Sequence, residues 1–198
     1  MLVNTTKQKL REGKVVFGAI VGECAPTSVE VLGRIGFDFI MIDCEHGSMG
    51  LLEVEHLVRA CETVGITPLA RVPDHEPATI LRFLDRGIPM IEHIDAIAAL
   101  DEILSVPGID VIHCAPNDLA QSMGFPPEEE VVKVRKEVIA RCKAAGLPVG
   151  IGGNSPRDPA AVAELAKTGA TFVTVPALSL LQLGADQFRN GVQAALTD

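Results

Sequence analysis

Four short apolar runs in this chain each end on residues that can do chemistry. They are Phe37-Asp-Phe-Ile-Met-Ile-Asp43-Cys-Glu45-His46, Pro68-Leu-Ala-Arg71, Pro89-Met-Ile-Glu92-His93 and Val111-Ile-His-Cys-Ala-Pro-Asn117-Asp118. A buried strand gains nothing from such an ending. An active site at the carboxyl ends of parallel strands does, because its groups then stand on rigid supports around one mouth. Glu92 and Asp118 fall at neighbouring strand ends. Two converging carboxylates suit a hard divalent cation, Mg²⁺ or Mn²⁺, with positions left for substrate oxygens and water. Taken singly, each also reads as a cap or a surface ion pair, and Asp118 in Pro116-Asn-Asp-Leu suits a turn or a helix N-cap. Asp43 and Glu45 point to the same side of an extended chain. His46 beside them can act as general base or proton relay, tuned by a carboxylate. The plainer alternative is a solvated, charged strand end. Arg71 offers a cation to a carboxylate or a developing enolate, or else an ion pair to the next strand. His113, inside its run, reads as a core or supporting group.

The elements that must position these residues are regularly punctuated. Gly36, Gly65, Gly87, Gly108, Gly146 and Gly169 each follow a helical pattern and precede an apolar run, as expected where glycine closes a helix and the chain enters a strand. Amphipathic helices are predicted over Pro26–Ile35, Leu51–Val64, Pro77–Arg86, Glu128–Ala145 and Pro156–Thr168, framed by a first helix over 4–12 and a last one over 178–196. Seven strands are predicted to start near Val15, Asp38, Thr67, Ile88, Ile109, Pro148 and Thr171. Unbroken alternation of strand and helix implies a parallel sheet covered by helices. The strand runs do not alternate in polarity, as befits strands buried on both faces. A Rossmann sheet needs Gly-x-Gly-x-x-Gly after its first strand; here Gly22-Glu-Cys-Ala-Pro follows instead. Gly150-Ile-Gly-Gly153 reads either as an anion-binding loop or as a tight turn. Polar residues at several strand ends favour a (β/α) barrel, forming one domain over residues 1–198.

Composition narrows the classes further. Of 198 residues, 47% are hydrophobic and 22% charged, the balance of an ordinary globular domain. The net charge of −9 argues against nucleic acid as a partner. No apolar run reaches the roughly 18 residues of a membrane span, and the start lacks a signal-peptide pattern, so a cytoplasmic location is expected. The five cysteines, with no Cys-x-x-Cys, argue against a disulfide framework or a Cys-rich zinc site. Cys44 and Cys114 lie beside the charged strand ends, which leaves a nucleophilic thiol as a minor alternative.

Taken together, Asp43-x-Glu45-His46, Arg71, Ile91-Glu92 and Ala115-Pro-Asn-Asp118-Leu-Ala-Gln-Ser-Met-Gly124 resemble the HpcH/HpaI aldolases, the class II pyruvate aldolases. The resemblance runs in order along nearly the whole chain. It implies a TIM-type (β/α)8 barrel with a divalent cation on Glu92 and Asp118, either Mg²⁺ or Mn²⁺, with Co²⁺ also compatible. It further implies that Arg71 stabilises a pyruvate enolate, that the backbone around Ala115, Asn117 and Asp118 holds the substrate carboxylate, and that His46, oriented by Asp43, moves a proton. Glu45 would support them from behind. The implied reaction cleaves a 4-hydroxy-2-oxo acid to pyruvate and an aldehyde, in a homo-oligomer, typically a hexamer whose last helix docks on a neighbour.

The chain departs from the family pattern in three places. Met90 stands where the family has Gln, and Ala115 where it has Gly. Between Gly87 and Met90 about one β/α unit is absent, since a full barrel typically needs about 250 residues. Related lyases of citrate or malyl thioesters share the pattern, so a thioester lyase is an alternative. So is an inactive, shortened relative kept as an oligomer subunit.

Overall fold

The computed structural model describes residues 4–74, 76–84 and 100–197, apart from the side chains of Ile80, Leu84, Asp118 and Thr197. In chain order the elements are α1 (Thr5–Arg11), β1 (Val16–Val21), α2 (Pro26–Arg34), β2 (Phe39–Asp43), α3 (Leu51–Val64), β3 (Thr67–Arg71), α4 (Pro77–Leu84), α5 (Leu100–Leu104), β4 (Ile112–Cys114), α6 (Pro116–Ser122), α7 (Glu128–Ala144), β5 (Val149–Ile151), α8 (Pro159–Thr168), β6 (Ala170–Pro176) and α9 (Ala177–Thr197). The strand predicted near Ile88 lies outside the described residues.

The six strands form one parallel sheet in the order β3-β2-β1-β6-β5-β4. A classic dinucleotide-binding sheet would put β4 beside β1; here β6 lies there. Each strand otherwise neighbours the next in sequence, with one interruption between β3 and β4. That is the winding of a barrel wall, and the described part is an α/β half-barrel.

One face of the sheet is covered by helices. Val29 and Leu32 of α2 and Val54, Leu57 and Cys61 of α3 pack on Ala19, Val21, Ile40 and Ile42. Val131, Val138, Ile139 and Cys142 of α7 pack on Val149, Ile151 and Ala170. Gly65 and Gly169 take the left-handed conformation that ends α3 and α8. The other face carries a smaller cluster, in which Phe39 stacks on Phe172 with ring centroids 4.1 Å apart. Gly18 makes that stack possible, because a Cβ there would lie 2.0 Å from the Phe39 ring.

Leu10 of α1 joins this cluster. The Thr6 hydroxyl donates to the Asp38 carbonyl at 2.9 Å and also meets the Thr67 hydroxyl at 2.8 Å. Thus α1 covers the amino ends of β2 and β3, and the chemistry-bearing residues stand at the opposite ends. Among the described residues no helix is long and apolar enough to cross a membrane.

Three local expectations need correction. The helix predicted from Pro156 starts at Pro159, because Asp158 is its N-cap and accepts from the Ala161 N–H at 3.0 Å. Asp118 is not an N-cap. Ala115 holds that position, Pro116 opens α6, and Asp118 is the third helical residue. The strand predicted near Ile109 begins at Ile112.

Candidate active site

The site begins with strand register. Asp43 and Arg71 are the last residues of β2 and β3, and pairing sets them side by side. Arg71 grips the carboxylate as a fork: Nη2 donates to Oδ2 at 2.7 Å and Nε to Oδ1 at 3.2 Å. The two side chains are only 11% and 16% exposed, so the pair is largely shielded from water. Asp43 Oδ1 also accepts the backbone N–H groups of Glu45 at 3.2 Å and His46 at 3.0 Å, which turns the chain back over the strand ends. Gly47 completes that turn: a Cβ would sit 2.1 Å from the Asp43 carbonyl. Burial pushes the Asp43 carboxyl up, but the Arg71 hydrogen bonds, the His46 N–H and the charges of both residues outweigh it. The net effect is a pKa below the usual carboxylate value.

Glu45 and His46 extend this constellation toward solvent. Glu45 Oε2 lies 3.2 Å from Arg71 Nε and 3.8 Å from His46 Nε2. The carboxylate that meets the imidazole is therefore that of Glu45, whereas Asp43 fixes His46 through its main chain. The side chains of Asp43, Arg71, Glu45 and His46 run in that order from the buried floor to the exposed rim.

Across the sheet, His113 is buried on the same face, its ring edge-on to Phe172 at 5.7 Å between centroids. Gly150 and Gly152 leave room for it, since added Cβ atoms would lie 2.4 and 2.9 Å from its ring nitrogens. Burial, and then the Arg71 charge, lower its pKa to about 4, so it is neutral at physiological pH. The glycines of Gly150-Ile-Gly-Gly153 therefore include two that accommodate an imidazole.

Ala115, Asn117 and Asp118 begin α6 directly after β4. By helix geometry the N–H groups of Asn117 and Asp118 have no carbonyl within α6 to bond. Glu92, Met90 and the Gly87–Met90 junction lie outside the described residues. Among the described residues no three His, Cys, Asp or Glu side chains group closely enough to hold a metal ion. The donor set expected for a cation, two carboxylates, is of the right chemical type for a hard ion. One of its members, Asp118, is placed by α6 at the end of β4. Cys44 is buried beneath the site, and burial, with the Asp43 charge, pushes its thiol up to about 11. It is protonated at neutral pH, which argues against the nucleophilic alternative there.

Fold and site together define a parallel β/α half-barrel with a charged rim at its strand ends. The sequence model of the HpcH/HpaI aldolase/citrate lyase family matches residues 88–176. A pyruvate aldolase from Rhizobium etli is 25% identical, over 93% of this chain and 95% of that protein. A 4-hydroxy-2-oxovalerate aldolase from Novosphingobium aromaticivorans is 27% identical, over 86% of this chain and 87% of its own. The crystal structure of an HpcH/HpaI aldolase/citrate lyase family protein from Burkholderia cenocepacia superposes with a TM-score of 0.85 at 24% identity, covering 96% of this chain and 100% of the other. By these matches the chain is similar to the HpcH/HpaI aldolase/citrate lyase family. The Rhizobium match runs over 245 positions although this chain has 198 residues, so the relative carries internal residues that this chain lacks.

Proposed function

We propose that this protein is a divalent-metal-dependent aldolase that cleaves a 4-hydroxy-2-oxo acid to pyruvate and an aldehyde. The observation that carries this reading is the fork between Asp43 and Arg71 at adjacent strand ends, with His46 held at its edge. Asp43 fixes the plane and charge of the guanidinium. Arg71 stabilises the oxygen of the 2-oxo group as it becomes an enolate. When the C3–C4 bond breaks, its electron pair passes to C3 and the 4-hydroxyl becomes the aldehyde carbonyl. His46 is the group to take that hydroxyl's proton, and a proton returned to C3 yields pyruvate. The first-turn N–H groups of α6 suit the substrate carboxylate, with Ala115 leaving space beside them. Glu92 and Asp118 would hold the cation, Mg²⁺, Mn²⁺ or Co²⁺, which supplies Lewis-acid polarisation of the 2-oxo group.

The assembly belongs to the same reading. Leu178, Leu181, Phe188, Val192 and Leu196 of α9 are exposed, and their spacings of three, seven, four and four residues keep them to one side of the helix. Such a stripe suits a homo-oligomer, a hexamer by the family resemblance. The test is pyruvate release from 4-hydroxy-2-oxo acids, followed with lactate dehydrogenase, after chelation and after adding back Mn²⁺ or Mg²⁺. Release that depends on the added cation supports the reading. Release indifferent to chelation, or none from any such acid, refutes it.

A further inference from the structure

We infer that the second half of the strand-end mouth, beyond the pyruvate residues, is a recognition site for a hydroxylated, uncharged aldehyde. This rests on the aldolase reading above and names the class of the partner. A cavity of about 330 Å³ opens at the carboxyl ends of β4, β5 and β6, lined by Asn117, Asn154, Ser155, Arg157, Ser179 and Gln182 among others. Two small features build it. Gly153, at φ +68°, turns the loop after β5 across the start of α6, where a Cβ would meet Pro116 Cγ at 2.9 Å. The first turns of α9 then bring Ser179 and Gln182 to the far wall.

Asn154 sets the chemistry. It is 9% exposed, and its Nδ2 donates to the carbonyls of Ile151 at 2.8 Å and Thr174 at 2.9 Å. Carbonyls only accept, so the amide orientation is fixed and both N–H groups are spent on the main chain, which leaves Asn154 able to offer a ligand only an acceptor. An acceptor held rigidly there favours a ligand that donates. A hydroxyl does so; a carboxylate does not. Arg157, the cation on the wall, is ion-paired to Asp186 of α9, so its charge is already answered within the protein. Ser155, Ser179, Gln182 and Asn117 add groups that both donate and accept. The walls thus suit a chain of hydroxyls and offer little to a plain alkyl tail.

The experiment compares three aldehydes as partners for pyruvate in the addition direction: D-glyceraldehyde, propanal of the same carbon count, and succinic semialdehyde. Glyceraldehyde is expected to exceed propanal in kcat/KM by about tenfold or more, because a site built to bond hydroxyls discriminates against analogues lacking them. Ser179→Ala and Gln182→Leu are expected each to narrow that ratio by about fivefold through the KM of glyceraldehyde, roughly one hydrogen bond each. Equal use of propanal overturns the inference. So does a preference for succinic semialdehyde that Arg157→Leu abolishes. Saturation-transfer NMR of glyceraldehyde on the whole protein separates this inference from the aldolase reading. A signal lost in Ser179→Ala and Gln182→Leu upholds the cavity even if no carbon–carbon chemistry is found, and that outcome would refute only the aldolase. No signal at millimolar aldehyde overturns the cavity.

Discussion

Asp43 and Arg71 carry opposite charges into a place where neither is fully hydrated, and that governs what each substitution does. Arg71→Met strands a buried carboxylate and is expected to cost about 3 kcal/mol of stability, together with nearly all activity. Asp43→Leu with Arg71→Met removes both charges. It is expected to recover most of the stability by urea denaturation while the activity stays lost, which separates holding the fold from doing chemistry. The pH response has two windows. His113 has its folded pKa lowered from 6.5 to about 4. The unfolded chain therefore binds a proton that the folded one refuses, and stability falls as pH drops from about 6.5 toward 4, by on the order of 3 kcal/mol. Asp43 has a lowered folded pKa, so its contribution is present above the usual carboxylate value and is lost only below it. Denaturation midpoints at pH 7.5 and 5 should converge in His113→Gln. At this scale the sequence names candidate residues for chemistry, but not their pairings. Asp43, Glu45 and His46 stand together in the chain, yet the grip of Asp43 on Arg71 depends on a register between β2 and β3 that no local pattern reveals.

At the scale of elements, the long helices and the first three strands follow directly from residue patterns. The apolar runs that start near Val15, Asp38 and Thr67 become β1, β2 and β3, and Leu51–Val64 is helical as predicted. The misses have a physical source. Helices α5 and α6 span 5 and 7 residues, too few for a 3.6-residue period to register. Pro156 and Pro159 both suit a helix start, and only the Asp158 side chain decides between them. Gly18 is also invisible in the sequence, because a glycine inside a strand does not say whose ring lies over it. Gly18→Ala would drive a methyl into Phe39 and is expected to lower stability by about 2 kcal/mol. Adding Phe39→Leu to that variant should restore part of the loss in the same thermal scan, because it removes the clashing ring.

For the whole molecule, the proposed assembly rests on the exposed stripe of α9. Apolar side chains as large as Phe188, which is 76% exposed, recur along 21 helical residues. Leu181→Glu with Phe188→Glu places charges in the middle of the stripe. Light scattering after size exclusion is expected to report a smaller species than wild-type protein gives, with the far-ultraviolet dichroism unchanged. Wild-type protein that already runs at 21.0 kDa would refute the oligomer.

The order of the sheet bears on how the chain reaches this state. Strands β1, β2 and β3 pair with near neighbours in sequence, as do β4, β5 and β6. Among the described strands, only the join of β1 to β6 links the two ends of the chain, and it lies in the middle of their order. Each half can therefore condense over short loops, while the central join must close almost the whole chain at once. Folding is then a race between two early local assemblies and one late, long-range closure. Phe39 and Phe172, stacked across that join, are among the last contacts to form and the first to part.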